Sequence, residues 1–260
     1  MPLWSCWSLS PLVLPAVPRL NAARFREIAT TYHSRDSPGD TLTYLYIYRA
    51  LGNVASRQTP PRSADLALLV NGYLRDWGKM GRFLRGNPDN LYEDPFYKSL
   101  ARTLRASWRE VRNLRGVTGW RVGAFSNELA VLFDSLVDET KNDDGAHSPV
   151  SAAKLLHMLL PNVCIIWDNE YVFKRGIVTR DKRVRKFSNR DGREYVGYVQ
   201  EKFRQVEDAA VEVGLSVSEF SARVLSGHSM EVRRLVPGAG LPPQEPLTKI
   251  LDEANYLGVE

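Results

Sequence analysis

Apolar residues recur every three or four positions along most of the chain, and this spacing predicts amphipathic helices. The clearest example covers residues 94–114, where four large apolar side chains are spaced by four: Phe96, Leu100, Leu104 and Trp108. The same criterion predicts helices over residues 20–33, 41–51, 63–78, 125–140, 149–160, 195–213 and 216–225, with short helices after residue 168 and at the C-terminal end. The pattern therefore favours an all-α protein of about ten helices.

Strand signals are confined to one place. Residues 163–167 form a continuous apolar run that is too short for its periodicity to separate a strand from a buried helical segment. Prolines interrupt the helical pattern, most densely over residues 237–246. We therefore expect one helical domain over residues 20–236, followed by a proline-rich link and a C-terminal helix over residues 237–260.

The first 18 residues carry no charged side chain, and the first basic residue is Arg19. A secretory signal has a basic leader followed by an apolar core. This stretch has no such leader, and four prolines interrupt it: Pro2, Pro11, Pro15 and Pro18. We expect residues 1–19 to be an extended arm lying on the protein, or a product of the choice of start site, rather than a targeting signal.

Composition limits the class of protein further. With 260 residues, 43% of them apolar and 10% aromatic, the chain has enough apolar surface to form a packed core. Cys6 and Cys164 are its only cysteines, which argues against a disulfide framework and a cysteine-based zinc or iron–sulfur centre. No stretch of about 20 apolar residues predicts a membrane span. The expectation is a cytoplasmic protein without a metal ion, a cofactor or a membrane partner.

Positive charge is concentrated in residues 174–193, the basic segment. This segment holds nine basic and two acidic residues, a net charge of +7, whereas the whole chain carries +5 and the remainder is therefore at −2. Such a cluster favours a polyanion because each neutralised phosphate releases counterions. Contacts with DNA phosphates are predicted for Arg180, Lys182, Arg183, Arg185, Lys186, Arg190 and Arg193. Phe187 is predicted to stack on bases. The alternative is a mobile, solvated loop.

A second informative region leads to Asp168. Ser148 and Pro149 are typical of the start of a helix, which places Lys154 in its second turn among small and apolar residues. After a proline break, the apolar run over residues 163–167 returns the chain through the core and delivers Asp168 to the start of the next helix. Lys154 and Asp168 are thus expected to meet at the mouth of a cleft.

Each of these residues also has an ordinary structural interpretation. A single lysine on a helix is usually a solvated charge. An aspartate before a helix, such as Asp168, is usually its N-cap. His157, one turn after Lys154, is more often a packed side chain than a catalytic group. These alternatives stay open on the residues alone.

The order of these features resembles the helix-hairpin-helix DNA glycosylase superfamily. The resemblance covers about residues 64–172 and rests on a hairpin at residues 143–148, a lysine, an apolar helix, and a proline followed by an apolar run ending in aspartate. It is closer to a bacterial group with a Trp-Gly-Met-type motif, which corresponds here to residues 73–80. The resemblance implies two helical lobes around a central cleft, with Lys154 as amine nucleophile and Asp168 as catalytic carboxylate.

The resemblance also implies how DNA is handled. A target base must be flipped out of the duplex into a pocket. The residues expected to line that pocket are Tyr73, Trp77, Trp120 and His157. The hairpin at residues 143–148 has one glycine where the family has two, so we expect the basic segment to contribute phosphate contacts.

The function implied is that of a DNA glycosylase acting on double-stranded DNA, which cleaves the N-glycosidic bond of a damaged or modified base. The resemblance leaves open whether Lys154 adds an abasic-site lyase activity. It also leaves open whether the role is repair or defence against phages with modified DNA. Two alternatives remain: a helical nucleic-acid-binding protein without catalysis, and a helical interaction protein unrelated to DNA.

Overall fold

A computed structural model describes residues 25, 27–28, 31–32, 38–55, 59–62, 65, 72–74, 93–140, 147–235 and 246–257, and these residues are mostly helical. Their α-helices are α1 (Pro38–Ala55), α2 (Pro95–Ala106), α3 (Trp108–Arg115), α4 (Ser126–Glu139), α5 (Pro149–Leu159), α6 (Gly192–Glu212), α7 (Val217–Leu235) and α8 (Leu247–Leu257). A 3-10 helix spans Gly119–Phe125 and a π-helical turn spans Asn169–Phe173. The prediction of a helical protein is confirmed.

The helix predicted over residues 94–114 is two helices. Asp94 caps α2 by accepting a hydrogen bond from the backbone N–H of Phe96, at 2.8 Å. The break falls at Ser107, whose ψ of 14° departs from helical geometry. A strict spacing of four rotates the apolar stripe by about 40° at each step around a helix. The break allows Trp108, at the start of α3, to remain buried like Leu100 and Leu104, whereas Phe96 is half-buried.

Residues 163–167, for which the pattern left a strand and a buried helical segment open, are neither. They are all buried and form an irregular segment outside the helices and the β-ladder of the described chain. Strands occur instead in the basic segment, where β1 (Ile177–Val178) pairs antiparallel with β2 (Val184–Arg185). A turn joins the two strands, and Lys182 within it has a left-handed φ of 62°.

Packing of α4 against α6 forms the centre of the molecule. The two helices approach closely at Gly192, where a Cβ atom would lie 2.2 Å from the carbonyl oxygen of Ala130. The N–H of Gly192 also donates to the carboxylate of Asp134, at 2.7 Å. Phe133 of α4 stacks on Tyr195 of α6, with ring centroids 4.3 Å apart. This contact surface supports the buried segment that leads to the candidate site.

Several predictions fall outside the described residues. They concern the arm over residues 1–19, the side chain of Trp77, most of the hairpin over residues 143–148 and most of the link over residues 237–246. The division into domains therefore stays a prediction. Among the helices that the structure describes, none is both long and apolar enough to cross a lipid bilayer.

Candidate active site

Lys154 lies on α5 as the sequence predicts. Ser148 caps this helix by accepting from the N–H of Ser151, at 3.3 Å, and Pro149 occupies its first turn. The lysine is half-buried, whereas Ala153 and its other neighbours in sequence are buried. Burial lowers the pKa of the Lys154 amine, because water no longer stabilises its charged form. Helix α5 thus presents an amine whose proton is held less tightly than that of an exposed lysine.

Asp168 is delivered by the buried segment over residues 163–167. The preceding Trp167 is fully buried and packs on Phe173, with ring centroids 4.4 Å apart. Asp168 itself accepts a hydrogen bond from the N–H of Glu170, at 2.8 Å, and so begins the π-helical turn. Its capping role and its place beside Lys154 are compatible, because one carboxylate has several acceptor positions.

Asp168 acts electrostatically on Lys154. The Asp168 carboxylate raises the pKa of Lys154, which partly opposes the effect of burial. Charges separated widely through solvent have little effect on each other at physiological ionic strength. The coupling therefore puts the amine and the carboxylate in one local environment.

Asp252 is a second carboxylate of this site, and sequence reasoning missed it. Burial raises its pKa to about 6, Lys249 and Lys154 lower it, and Asp168 raises it. In turn, the Asp252 carboxylate raises the pKa of Lys154. The side chain of Asp252 is 18% exposed. The site thus contains one lysine from α5 and two carboxylates, from the π-helical turn and from α8.

A buried polar network on α8 surrounds Asp252. The amine of Lys249 lies 3.7 Å from the Asp252 carboxylate and 3.1 Å from that of Glu253. Glu253 also lies 2.8 Å from Nε2 of His228 on α7. The Lys249 amine is 4.7 Å from the ring centroid of Tyr32, an arrangement typical of a cation–π contact. The network fixes the face of α8 that points toward Lys154.

The predicted pocket residues that the structure describes lie in different places. Tyr73 is buried and its pKa is raised, first by burial and then by the charge of Asp252, so this residue belongs to the site. Trp120 packs on Phe203, with ring centroids 4.7 Å apart, and lines a cavity that includes neither Lys154 nor Asp168. Trp77 is outside the described residues.

His157 lies in the core rather than on a pocket wall. It is fully buried, and its two ring nitrogens are 2.8 Å from the hydroxyl of Tyr44 and 2.8 Å from the backbone carbonyl of Cys164. Burial lowers its pKa to about 4, so the ring is neutral at neutral pH. With both nitrogens occupied, His157 has a structural role in this arrangement, and its predicted place against a flipped base is not what the structure shows.

Lys202 on α6 is a further buried amine near the site. It is fully buried, and its Nζ atom has no hydrogen-bond partner among the described residues. Burial lowers its pKa to about 7, and the charges of Glu201 and Asp252 oppose this shift. Sequence reasoning missed this residue, although helical periodicity could have found it: Lys202 follows Val199 by three positions and precedes Val206 by four, on the buried face of α6.

The basic segment is a folded hairpin attached to α6. The N–H of Arg180 donates to Glu201 at 2.6 Å, and the Gln205 amide donates to the carbonyl of Val178 at 2.8 Å. The Arg180 guanidinium also lies 3.0 Å from Asp208. These bonds tie the segment to α6, which argues against the alternative of a mobile, solvated loop.

Six of the seven predicted phosphate-binding residues are exposed, and Arg185 is half-buried. The guanidinium of Arg190 lies 4.4 Å from the ring centroid of Phe173, and Lys186 donates to the carbonyl of Arg175 at 2.6 Å. Phe187 is 8% exposed and packs edge-on against Trp167, so the prediction that it stacks on bases is wrong for this conformation. The segment presents cations to solvent but not an aromatic ring.

Three cavities bounded by described residues lie elsewhere. One of about 220 Å³ is lined by Tyr48 and residues 158–163, and one of about 350 Å³ includes Trp120. The third, of about 410 Å³, is lined mainly by the cations Arg62, Lys98, Arg102 and Arg105. Lys154 and Asp168 line none of these three. Within the described part of the chain, no group of three or more His, Cys, Asp or Glu side chains is arranged to hold a metal ion.

Comparison with known proteins yields no match: no family model, no curated protein and no solved structure is significantly similar to this chain.

Proposed function

We propose that this protein is a DNA glycosylase with an associated abasic-site lyase activity, built on a two-lobed helical fold around the Lys154 site. The observation that carries the proposal is a half-buried amine with a lowered pKa, electrostatically coupled to Asp168. An uncharged amine is a nucleophile, and a lysine at its ordinary pKa of about 10.4 is almost entirely protonated at neutral pH. Burial of Lys154 favours the reactive form.

The two groups suit the two requirements of base removal. Cleavage of an N-glycosidic bond develops positive charge on the sugar, and a fixed carboxylate stabilises that charge. We assign this role to Asp168, because the packed aromatic residues around Trp167 hold its backbone in place. We assign attack on C1′ of the sugar to the Lys154 amine. The product is a Schiff base that permits strand cleavage.

The basic segment supports DNA as the substrate. It follows the π-helical turn that begins at Asp168, so the cations are connected to the candidate site by only a few residues of chain. Its hydrogen bonds to α6 anchor the backbone of the hairpin that carries the exposed cations. Phosphate contacts orient a duplex without selecting its sequence. In the proposal, the basic segment places the duplex.

Borohydride trapping tests this proposal. A duplex oligonucleotide with one abasic site is incubated with the protein and sodium borohydride, which reduces a Schiff base to a stable covalent adduct. The wild-type protein is expected to form an adduct and Lys154→Gln to form none. Lys98→Gln, which changes an exposed lysine of α2 outside the basic segment, is the matched control and should still form the adduct. Equal adduct in Lys154→Gln and wild type would show that Lys154 is not the nucleophile.

A DNA-binding protein without catalysis is the second candidate, and the folded basic segment is the observation that favours it. This candidate predicts salt-dependent binding to any duplex, with neither adduct nor strand cleavage at an abasic site. Incubation with genomic DNAs of different base modification, followed by mass spectrometry of the released bases, separates the two candidates. Release of a base from one of these DNAs would identify the substrate.

A further inference from the structure

Asp252 lies in a row along α8. Lys249 and Asp252 are three residues apart, as are Asp252 and Asn255, and side chains at this spacing are neighbours on a helix surface. The outer two members of this row make contacts that locate it. Asp252 lies between them.

Asn255 connects the row to the segment that carries Asp168. Its side-chain amide donates to the hydroxyl of Tyr198 at 2.6 Å, and that hydroxyl donates to the backbone carbonyl of Ile166 at 3.0 Å. Ile166 is two residues before Asp168 in the chain. The C-terminal part of the row is thus held against the buried segment by two consecutive hydrogen bonds.

Lys249 connects the row to the helix that carries Lys154. Its amine lies 5.4 Å from the ring centroid of Tyr44, and the hydroxyl of Tyr44 is 2.8 Å from His157 of α5. His157 follows Lys154 by three residues and so lies on the adjacent turn of the same face. The row therefore spans the space between α5 and the Asp168 segment, with Asp252 at its middle.

We propose that Asp252 is the base that removes the C2′ proton during strand cleavage, a step that rests on the proposed function. Once the Lys154 amine is joined to C1′ as a Schiff base, C2′ is only two bonds from Nζ. The Asp252 carboxylate acts electrostatically on the Lys154 amine, and the proposal places it within reach of the C2′ hydrogen.

The step balances in atoms and electrons. The C2′ proton moves to the Asp252 carboxylate, which becomes a neutral acid. The electron pair of the C2′–H bond passes through the Schiff base and forms the C2′–C3′ double bond. The C3′–O bond breaks, and the 3′ phosphate leaves with the electron pair of the C3′–O bond. No oxidant, reductant or metal ion is consumed.

Asp252 suits this role better than Asp168. The carboxylate of Asp168 already accepts the N–H of Glu170 as a cap. The pKa of Asp252 is raised to about 6, chiefly by burial, which makes it a stronger base than an ordinary carboxylate while leaving it largely ionised at pH 7. The charged and titratable groups that act on it or lie beside it are Lys154, Asp168, Lys202, Tyr73, Tyr198, Lys249 and Glu253.

The test measures adduct formation and strand cleavage separately on the same abasic-site duplex, in a buffer without amines. Asp252→Asn is expected to form the borohydride adduct at least as fast as wild type, because Lys154 is intact and loses a carboxylate that favours its charged form. Its strand cleavage is expected to fall by about 100-fold, the usual contribution of a general base. Asp252→Glu should recover part of the cleavage. Glu212→Gln, an exposed position with the same change in charge, should match wild type in both measurements.

The outcomes distinguish the two proposals. Wild-type cleavage in Asp252→Asn would overturn the role of Asp252 while leaving Lys154 as nucleophile. Absence of adduct in the wild-type protein would overturn the proposed function itself. If Asp252→Asn does not fold, the pH dependence of strand cleavage by the wild-type protein tests the role of Asp252. Its ratio of cleaved to trapped DNA should rise about tenfold from pH 5 to pH 7 as a base of pKa near 6 ionises, and a flat ratio would exclude Asp252 as the base.

Discussion

The hydroxyl of Tyr198 donates a 3.0 Å hydrogen bond to the backbone carbonyl of Ile166, two residues before Asp168. The same hydroxyl accepts the amide of Asn255. A single side chain of α6 therefore joins α8 to the segment that carries Asp168. All three groups are buried, so water cannot replace either bond.

Removal of this hydroxyl should destabilise the protein. Tyr198→Phe leaves the carbonyl of Ile166 and the amide of Asn255 buried without their partner, which costs about 1–3 kcal/mol in the free energy of unfolding. Urea denaturation monitored by circular dichroism measures this change. The control is Tyr46→Phe, because Tyr46 is 69% exposed and its hydroxyl is solvated. Equal stability of the two variants would show that the buried bonds contribute nothing.

The close approach of α4 and α6 gives a second prediction. Gly192→Ala places a methyl group against the backbone of Ala130, which cannot move aside as a flexible side chain would. The expected loss is about 1–3 kcal/mol in the free energy of unfolding. Gly116→Ala is the matched control, because nothing lies within 4 Å of the added atom there and the backbone φ of −80° is ordinary. Thermal denaturation should give a lower midpoint for Gly192→Ala alone.

Lys202 gives a prediction with a defined pH dependence. Its pKa is lowered by burial to about 7 in the folded protein, against 10.5 for an exposed lysine. Between these values the unfolded chain binds a proton that the folded chain has released, so stability rises with pH from about 7 to 10.5. Below pH 7 the penalty for burying the charged amine is complete.

Lys202→Met should therefore stabilise the protein, by about 1–4 kcal/mol at pH 6, because a buried charge is replaced by an apolar side chain of similar length. The gain should shrink progressively as the pH is raised from 7 to 10. Urea denaturation at pH 6, 8 and 9.5 gives the three values. A variant less stable than wild type at pH 6 would refute the prediction, since it would mean that the charged amine is stabilised where it lies.

The basic segment gives a prediction about binding. Lys182→Ala combined with Arg183→Ala removes two exposed cations near the tip of the hairpin. If both contact phosphates, the slope of log affinity against log salt concentration should become less steep by about 0.9 for each contact. Fluorescence anisotropy with a labelled duplex at several salt concentrations measures the slope. Arg223→Ala with Arg233→Ala on α7 removes the same charge elsewhere and should leave the slope unchanged.

Local signals explain what could be predicted from the sequence. Ser148 and Pro149 mark the start of α5 and thereby place Lys154 correctly. The continuous apolar run before Asp168 indicates a buried connection, which the structure contains although it is not a strand. These features depend on neighbouring residues, so their physical cause is visible in the chain itself.

Asp252 could not be predicted because its role depends on a contact between distant parts of the chain. The pair Lys249 and Glu253, spaced by four, is typical of an exposed helix face, where such pairs are common. Here both side chains are buried, at 3% and 0% exposure, against tyrosines from the N-terminal region and a histidine of α7. Helical spacing shows which residues share a face, but not which distant helix covers it.

Phe187 illustrates the same limit in the basic segment. The surrounding cations suggest a solvated surface on which an aromatic ring would be free to meet bases. Trp167, however, presents an apolar surface twenty residues earlier in the chain, and Phe187 packs against it at a centroid distance of 5.2 Å. Burial of a ring of this size is worth about 1.5–3 kcal/mol, which explains why one side of a highly charged hairpin turns inward.

The position of α8 in the chain has a consequence for biosynthesis. During translation Asp168 leaves the ribosome about eighty residues before Asp252, and Lys154 about a hundred residues before it. An unfinished polypeptide therefore carries the proposed nucleophile without the carboxylate proposed to complete strand cleavage. The contacts of Tyr198 with Asn255 and of Tyr44 with Lys249 are likewise missing. Under this proposal, a premature stop before residue 247 would leave a product that has the amine but lacks the base, and this product would cut DNA slowly.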